Sequence, residues 1–148
     1  MSRFKKYIVA ATAFCFVTAA LAAADPAEER HERMKDVGDA VGSIGAMLKG
    51  EADFDSATVM ASLMTMQEST TGFDELFPEG SYVEGEKRAT QAVWTHRADF
   101  DQKLENFNVA LDAAIEADPQ SLAALGPVMK KVFDTCKACH EDFRSPGD

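Results

Sequence analysis

Residues 121–147 read SLAALGPVMKKVFDTCKACHEDFRSPG, and two patterns are superimposed in them. Leu122, Leu125, Met129, Val132, Cys136, Cys139 and Phe143 recur at intervals of three and four, the spacing of one face of an α-helix. Ser145, Pro146 and Gly147 then stop the pattern. Within it lies Cys136-Lys137-Ala138-Cys139-His140, so both cysteines fall on the core-facing stripe and His140 lies one turn beyond Cys136. The rest of the chain has to supply the core that this face needs.

Three further helices are predicted. The first opens with Asp25 as N-cap, Pro26 at the first helical position and Glu28 and Glu29 in the first turn, and it runs to Gly50 as the C′ residue. Its stripe is Met34, Val37, Val41, Ile44 and Leu48. Gly38, Gly42 and Gly45 lie beside that stripe and weaken the helix by ~1 kcal/mol each, which predicts close approach there by a flat ligand or a second backbone. The second helix starts at Asp55 or Ser56 and ends near Gly72, with Val59, Leu63 and Met66 on one face and Met60 and Met64 beside them. Pro78, Gly80 and Gly85 mark a long connection docked through Leu76 and Phe77. The third helix is predicted from Glu86 to Ala117, with Phe100, Leu104, Phe107, Leu111 and Ala114 inward, and Asp118-Pro119 ends it and caps the last helix. No segment beyond residue 24 alternates with period two. The fold class is therefore all-α, an antiparallel four-helix bundle, whose cofactor sites lie between facing helices.

The 148 residues hold 15 Lys+Arg against 25 Asp+Glu, with a pI of about 4.7. That balance excludes a nucleic-acid binder and a surface held to anionic lipid, both of which need clustered cations. Residues 1–24 read as a cleaved signal peptide: Arg3, Lys5 and Lys6 lead, Tyr7 to Leu21 carries no charge, and Ala22 to Ala24 offer a cleavage site. The apolar run is shorter than the ~20 residues of a membrane span, so the mature form is expected to be periplasmic with no membrane anchor. Cys15 is lost with the signal. Residues 25–148 then form one domain, and because the signal removes three cations and no acid, its 124 residues hold 12 Lys+Arg against 25 Asp+Glu, a formal charge of −13. Such a field favours cationic partners and repels anionic ones, though screening limits it to ~8 Å.

Two thiols and an imidazole on one side of a helix suit a single haem. The thiols form thioethers to two vinyl groups on one porphyrin edge and the imidazole turns under the ring to the iron, the chemistry of c-type haem attachment. Export agrees with it. A thioredoxin-like dithiol belongs near a βαβ unit, which is not readable here. A zinc or copper handler lacks further ligands, because only His31 and His96 remain and both mature thiols lie inside the motif. A disulfide across three residues of one helix would staple almost nothing.

The ending Cys-Lys-Ala-Cys-His-Glu-Asp-Phe-Arg at 136–144, the first helix from Arg30 through Met34 to Leu48-Lys49-Gly50, and the Trp94 segment resemble the class II cytochromes c, which include cytochrome c′ and its low-spin, methionine-ligated relatives. The resemblance spans the whole of residues 25–148. It implies haem c in the bundle core, His140 as proximal ligand, no bound substrate and no enzymatic activity. The position facing the distal iron matches Met34. Two readings stay open: a one-electron carrier with iron between His140 and Met34, serving redox partner proteins, or a high-spin protein in which Met34 only fills the pocket and NO or CO binds the iron. The stretches 30–36 and 76–78 look closer to the low-spin branch. Met47, Met60, Met64, Met66 and Met129 show how freely this core uses Met as filler.

His31 is the competing ligand, and His96 reads as a surface or core-edge histidine. Arg30 matches a family arginine that pairs with a haem propionate, the alternative being a solvated side chain. Arg144 matches a family position that shields the imidazole or steers a proximal ligand, the alternative being a cation on the helix dipole. Trp94, Phe133 and Phe143 read as core or haem-wall aromatics. The resemblance also implies a homodimer through the first two helices, with Met60 and Met64 as candidate contacts.

Overall fold

The computed structural model describes residues 25–83 and 88–145, so the signal segment expected at 1–24 lies outside the described residues. Helix α1 spans Pro26–Leu48, α2 Ser56–Thr70, α3 Ala92–Thr95, α4 Arg97–Ala117 and α5 Leu122–Phe143, with a 3₁₀ turn at Phe73–Leu76. Four of these are long and form an antiparallel four-helix bundle. Helix α1 packs on α2, α2 on α4 and α4 on α5, while α1 and α5 meet at few points. Among the described residues there is no strand, only one bridge between Ala89 and Arg144.

The expected start signals operate. Asp25 accepts the Ala27 N–H at 3.0 Å and Asp55 accepts the Thr58 N–H at 2.9 Å, each satisfying a backbone donor that the first turn leaves unbonded. Gly50 and Gly72 follow the first two helices with φ of +74° and +65°, a conformation that a side chain would strain. The bundle interior is Ile44, Val59, Leu63, Met66, Leu111, Ala114, Leu125, Met129 and Val132, none more than 1% exposed. A second, smaller cluster of Phe73, Phe77, Ala89, Val93, Phe100 and Phe143 closes one end.

Four expectations need correction. The third helix does not run unbroken from Glu86: Glu86 lies outside the described residues, α3 is a single turn, and α4 begins only at Arg97 after His96 leaves helical geometry at φ −123°, ψ 45°. Upstream of α3 the Thr90 N–H donates to the Phe143 carbonyl at 3.0 Å and Ala89 bridges Arg144, which ties residues 89 and 90 to the end of α5, while the N–H groups of residues 93–96 bond back within the segment. Asp118 ends α4 in the left-handed region, φ +39°, but Ser121 caps α5, its hydroxyl accepting the Ala124 N–H at 3.3 Å. Apart from the helix's own backbone, no described atom lies within 4 Å of where a Cβ would stand at Gly38, Gly42 or Gly45, so no second backbone approaches there. Leu122, assigned to the inner stripe of α5, is 42% exposed because it sits at the first helical position, beyond the edge of the core.

Leu111→Ala is expected to lower stability by about 2–5 kcal/mol, and Leu122→Ala by less than about 1 kcal/mol despite its place in the same periodic pattern. Urea midpoints followed by far-UV circular dichroism check both.

Candidate functional site

A cavity of about 700 Å³ opens between α1, α4 and α5, within the ~300–1,000 Å³ range of cofactor sites. One wall is the C-terminal half of α5, with Phe133, Cys136, Cys139, His140 and Phe143. The facing wall is α1, with Arg30, His31, Met34, Val37 and Val41, and the floor is Phe100, Leu104 and Phe107 of α4. Met34 is half-buried at the junction of the two core clusters, packing against the larger one as Cys136 does and against the smaller one as Cys139 does. Gly38 borders the same cavity, whereas Gly42 and Gly45 do not.

The motif residues are held in their neutral forms. Burial, and then the neighbouring Cys139 thiol, push the Cys136 thiol up to about 11 from its ordinary value of 9.0, against a backbone hydrogen bond that lowers it. Burial also raises Cys139, opposed by Lys103 and reinforced by Asp142. The His140 imidazole is partly open at the cavity mouth, and the burial it does feel, followed by Arg144, lowers its pKa. That keeps the ring neutral, the form that binds a metal ion.

Lys103, which sequence reasoning passed over, reaches across from α4. Its ammonium donates to the Ala138 carbonyl at 2.7 Å and pairs with Asp142 at 2.5 Å, so α4 grips the motif from both sides of His140. Its one signal in the sequence is a cation flanking the apolar stripe formed by Phe100, Leu104 and Phe107.

Arg30 is not the solvated side chain weighed as its alternative. It is 6% exposed, donates to the Leu76 carbonyl at 2.6 Å and lies 4.6 Å from the centroid of the Phe77 ring. Two further arginines collect carbonyls of the same connection: Arg33 from Thr71 at 2.9 Å, and Arg97 from Asp74 and Phe77 at 3.1 Å each. Phe77 sits edge-on to Phe73, Trp94 and Phe100. Phe133 and Phe143 line the cavity as expected, but Trp94 does not. It stands behind Phe77, where its indole N–H donates to the Pro78 carbonyl at 2.9 Å. His96 is exposed and outside the cavity, while His31 lines it, half-buried. Among the described residues no three His, Cys, Asp or Glu side chains form a group able to hold a metal ion.

The residues present fit haem c: two neutral thiols and an imidazole share one wall, a thioether side chain stands on the other, and aromatic side chains lie between. Known proteins similar to the chain agree. The family model described as cytochrome C′ matches residues 25–144. Cytochrome c-556 of Agrobacterium fabrum is 34% identical over 140 residues, covering 94% of each chain. Cytochrome c′ of Rhodopseudomonas palustris is 35% identical over 126 residues, covering 85% of this chain and 86% of its own. A solved structure of cytochrome c′ from that organism superposes with a TM-score of 0.79 at 33% identity, over 85% of this chain and all of its own. The fold and its site define a helical-bundle c-type cytochrome, an electron carrier with covalent haem c. The chain belongs to the cytochrome c′ family.

Two outcomes follow from this geometry. In the chain without attached haem, the raised Cys136 pKa stabilises the fold fully below about pH 9, and that contribution is lost as pH rises through about 11. Urea midpoints against pH should show the decline, which Cys136→Ser reduces and which a chain with Cys136 in a thioether lacks. Arg97→Leu frees the carbonyls of Asp74 and Phe77, and hydrogen exchange at the Phe77 amide is expected to speed up about tenfold, equivalent to ~1.4 kcal/mol of local stability.

Proposed function

We propose that this protein is a periplasmic one-electron carrier, with haem c joined through thioethers to Cys136 and Cys139 and its iron ligated by His140 and Met34. The observation that carries the reading is that Met34, on α1, lines the same cavity as the Cys136-Cys139-His140 wall of α5. When bound, the haem iron supplies one-electron chemistry, and His/Met ligation places it at a raised potential. The chain's own residues do the rest. The two cysteines fix one cofactor edge to α5, the neutral His140 ring offers a lone pair, and Phe73, Phe77, Phe100 and Phe107 exclude water. Arg30, anchored on Leu76, stands at the cavity wall, where its charge would pair with a propionate of the bound haem. Residues 1–24 serve as the export signal and 25–148 as the cytochrome domain, and no helix among the described residues is long and apolar enough to cross a membrane. The partners are redox proteins and no substrate is turned over. Met64, 57% exposed on α2, marks the face through which a homodimer would form.

A second reading rests on the packing of Met34. It sits against both hydrophobic clusters, as a filler side chain would, and in that case the sixth position is open to NO or CO. Optical spectra of the reduced holoprotein decide. Methionine ligation is expected to give sharp low-spin bands unmoved by CO, and Met34→Ala should convert them to a CO-sensitive spectrum. A wild-type spectrum that is broad and shifts with CO would remove Met34 as ligand and make gas binding the function.

A further inference from the structure

The charges around the cavity run against those of the molecule. Residues 25–148 carry 25 carboxylates and 12 Lys+Arg, yet among the described residues five of those cations line the cavity, Arg30, Lys35, Arg88, Lys103 and Arg144, against one carboxylate, Asp39. Arg30 is held on the Leu76 carbonyl and Lys103 on Asp142. Lys35, Arg88 and Arg144 are exposed, and no ion pair among the described residues engages them. Other cations are paired away from the cavity, Arg33 with Glu29, Arg97 with Asp101 and Lys130 with Asp134.

The two carboxylates of a bound haem would match two of the five cations, which leaves the mouth positive. At physiological ionic strength charges are screened beyond ~8 Å, so a molecule arriving at this mouth responds to the nearby cations and not to the distant acidic faces. We propose that the cavity rim, with Lys35, Arg88 and Arg144, is a cationic docking surface for a redox partner whose contact surface is acidic. Net charge alone favours cationic partners but, being screened over ~8 Å, identifies none, so the local charge of the rim is what a partner meets. The docking surface rests on the electron-carrier reading and adds the chemistry of the partner.

Small charged oxidants test the field where electrons leave. Reduced holoprotein is mixed with hexacyanoferrate(III), which takes one electron and becomes hexacyanoferrate(II), or with the tris(phenanthroline)cobalt(III) cation, which becomes the cobalt(II) complex. Between ionic strengths of about 10 mM and about 200 mM, the rate with hexacyanoferrate is expected to fall roughly three- to tenfold, while the rate with the cobalt complex holds or rises. The double variant Lys35→Glu, Arg88→Glu should slow hexacyanoferrate and abolish or invert its salt dependence. Lys130→Glu, Lys131→Glu changes net charge equally but lies outside the cavity lining, and should leave the salt dependence as it was. Poly-glutamate should inhibit the wild type by covering the rim and spare the first double variant. Measured reduction potentials correct each rate for driving force.

A hexacyanoferrate rate that rises with salt, as for a body of uniform negative charge, would overturn the docking surface while leaving the carrier reading intact. Equal effects of the two double variants, or no inhibition by poly-glutamate, would do the same. Failure to exchange electrons with either reagent would overturn both.

Discussion

One face of α5 has two tasks, and the rest of the molecule is arranged around doing both with a single helical period. In its first half, Leu125, Met129 and Val132 are completely buried in the core cluster that they share with α1, α2 and α4. In its second half the same stripe presents Cys136 and Cys139 to the cavity. Because the two halves belong to one rigid helix, packing in the first sets the direction of the thiols in the second. Rotating α5 by one residue, about 100°, would expose three apolar side chains at ~1.5–3 kcal/mol each. The rotation is further resisted at the far end, where Lys103 holds the Ala138 carbonyl and the Thr90 amide holds that of Phe143.

The facing wall is organised by different means. Residues 71–83, which follow α2, hold one 3₁₀ turn, and the carbonyls of Thr71, Asp74, Leu76 and Phe77 accept from side chains of other helices. Arg30, Arg33 and Arg97 supply those donors from α1 and α4. Burying a guanidinium as deeply as that of Arg30 is costly unless its donors are used, and here carbonyl acceptance and the Phe77 ring face both offset the lost hydration. Carbonyls of the segment and a cation short of water satisfy each other. The result fixes the spacing between α1 and α4, and with it the width of the cavity that Met34 faces.

Local signals were legible from residues and long-range ones were not. Asp25, Asp55, Gly50 and Gly72 mark helix ends through contacts within a few residues, and the Cys136-to-His140 spacing carries its chemistry within one turn. The break between α3 and α4 has no such signal, and neither has the pairing of Ala89 and Thr90 with the end of α5, some 50 positions away. The burial of Arg30 is likewise decided by Leu76 and Phe77, which nothing near Arg30 in the chain announces. The glycines of α1 suggested close approach by a flat ligand or a second backbone; no described backbone of this chain approaches them, and of the three Gly38 borders the cavity.

Net charge is the weakest of the sequence-level descriptors for a site of this size. The −13 of residues 25–148 is spread along the sequence, whereas a partner senses only what lies within about a Debye length of its contact. The acidic excess on the outer faces still acts, keeping molecules apart and soluble. Placed together, an acidic body and a cationic mouth form a dipole with the cavity at its positive end. A negatively charged partner then gains from one approach direction and loses from the others, so orientation is selected before contact. For electron exchange, where rate falls with distance from the cofactor, such orientation acts on the encounter itself, and a few rim cations govern it more than the far larger number of carboxylates elsewhere.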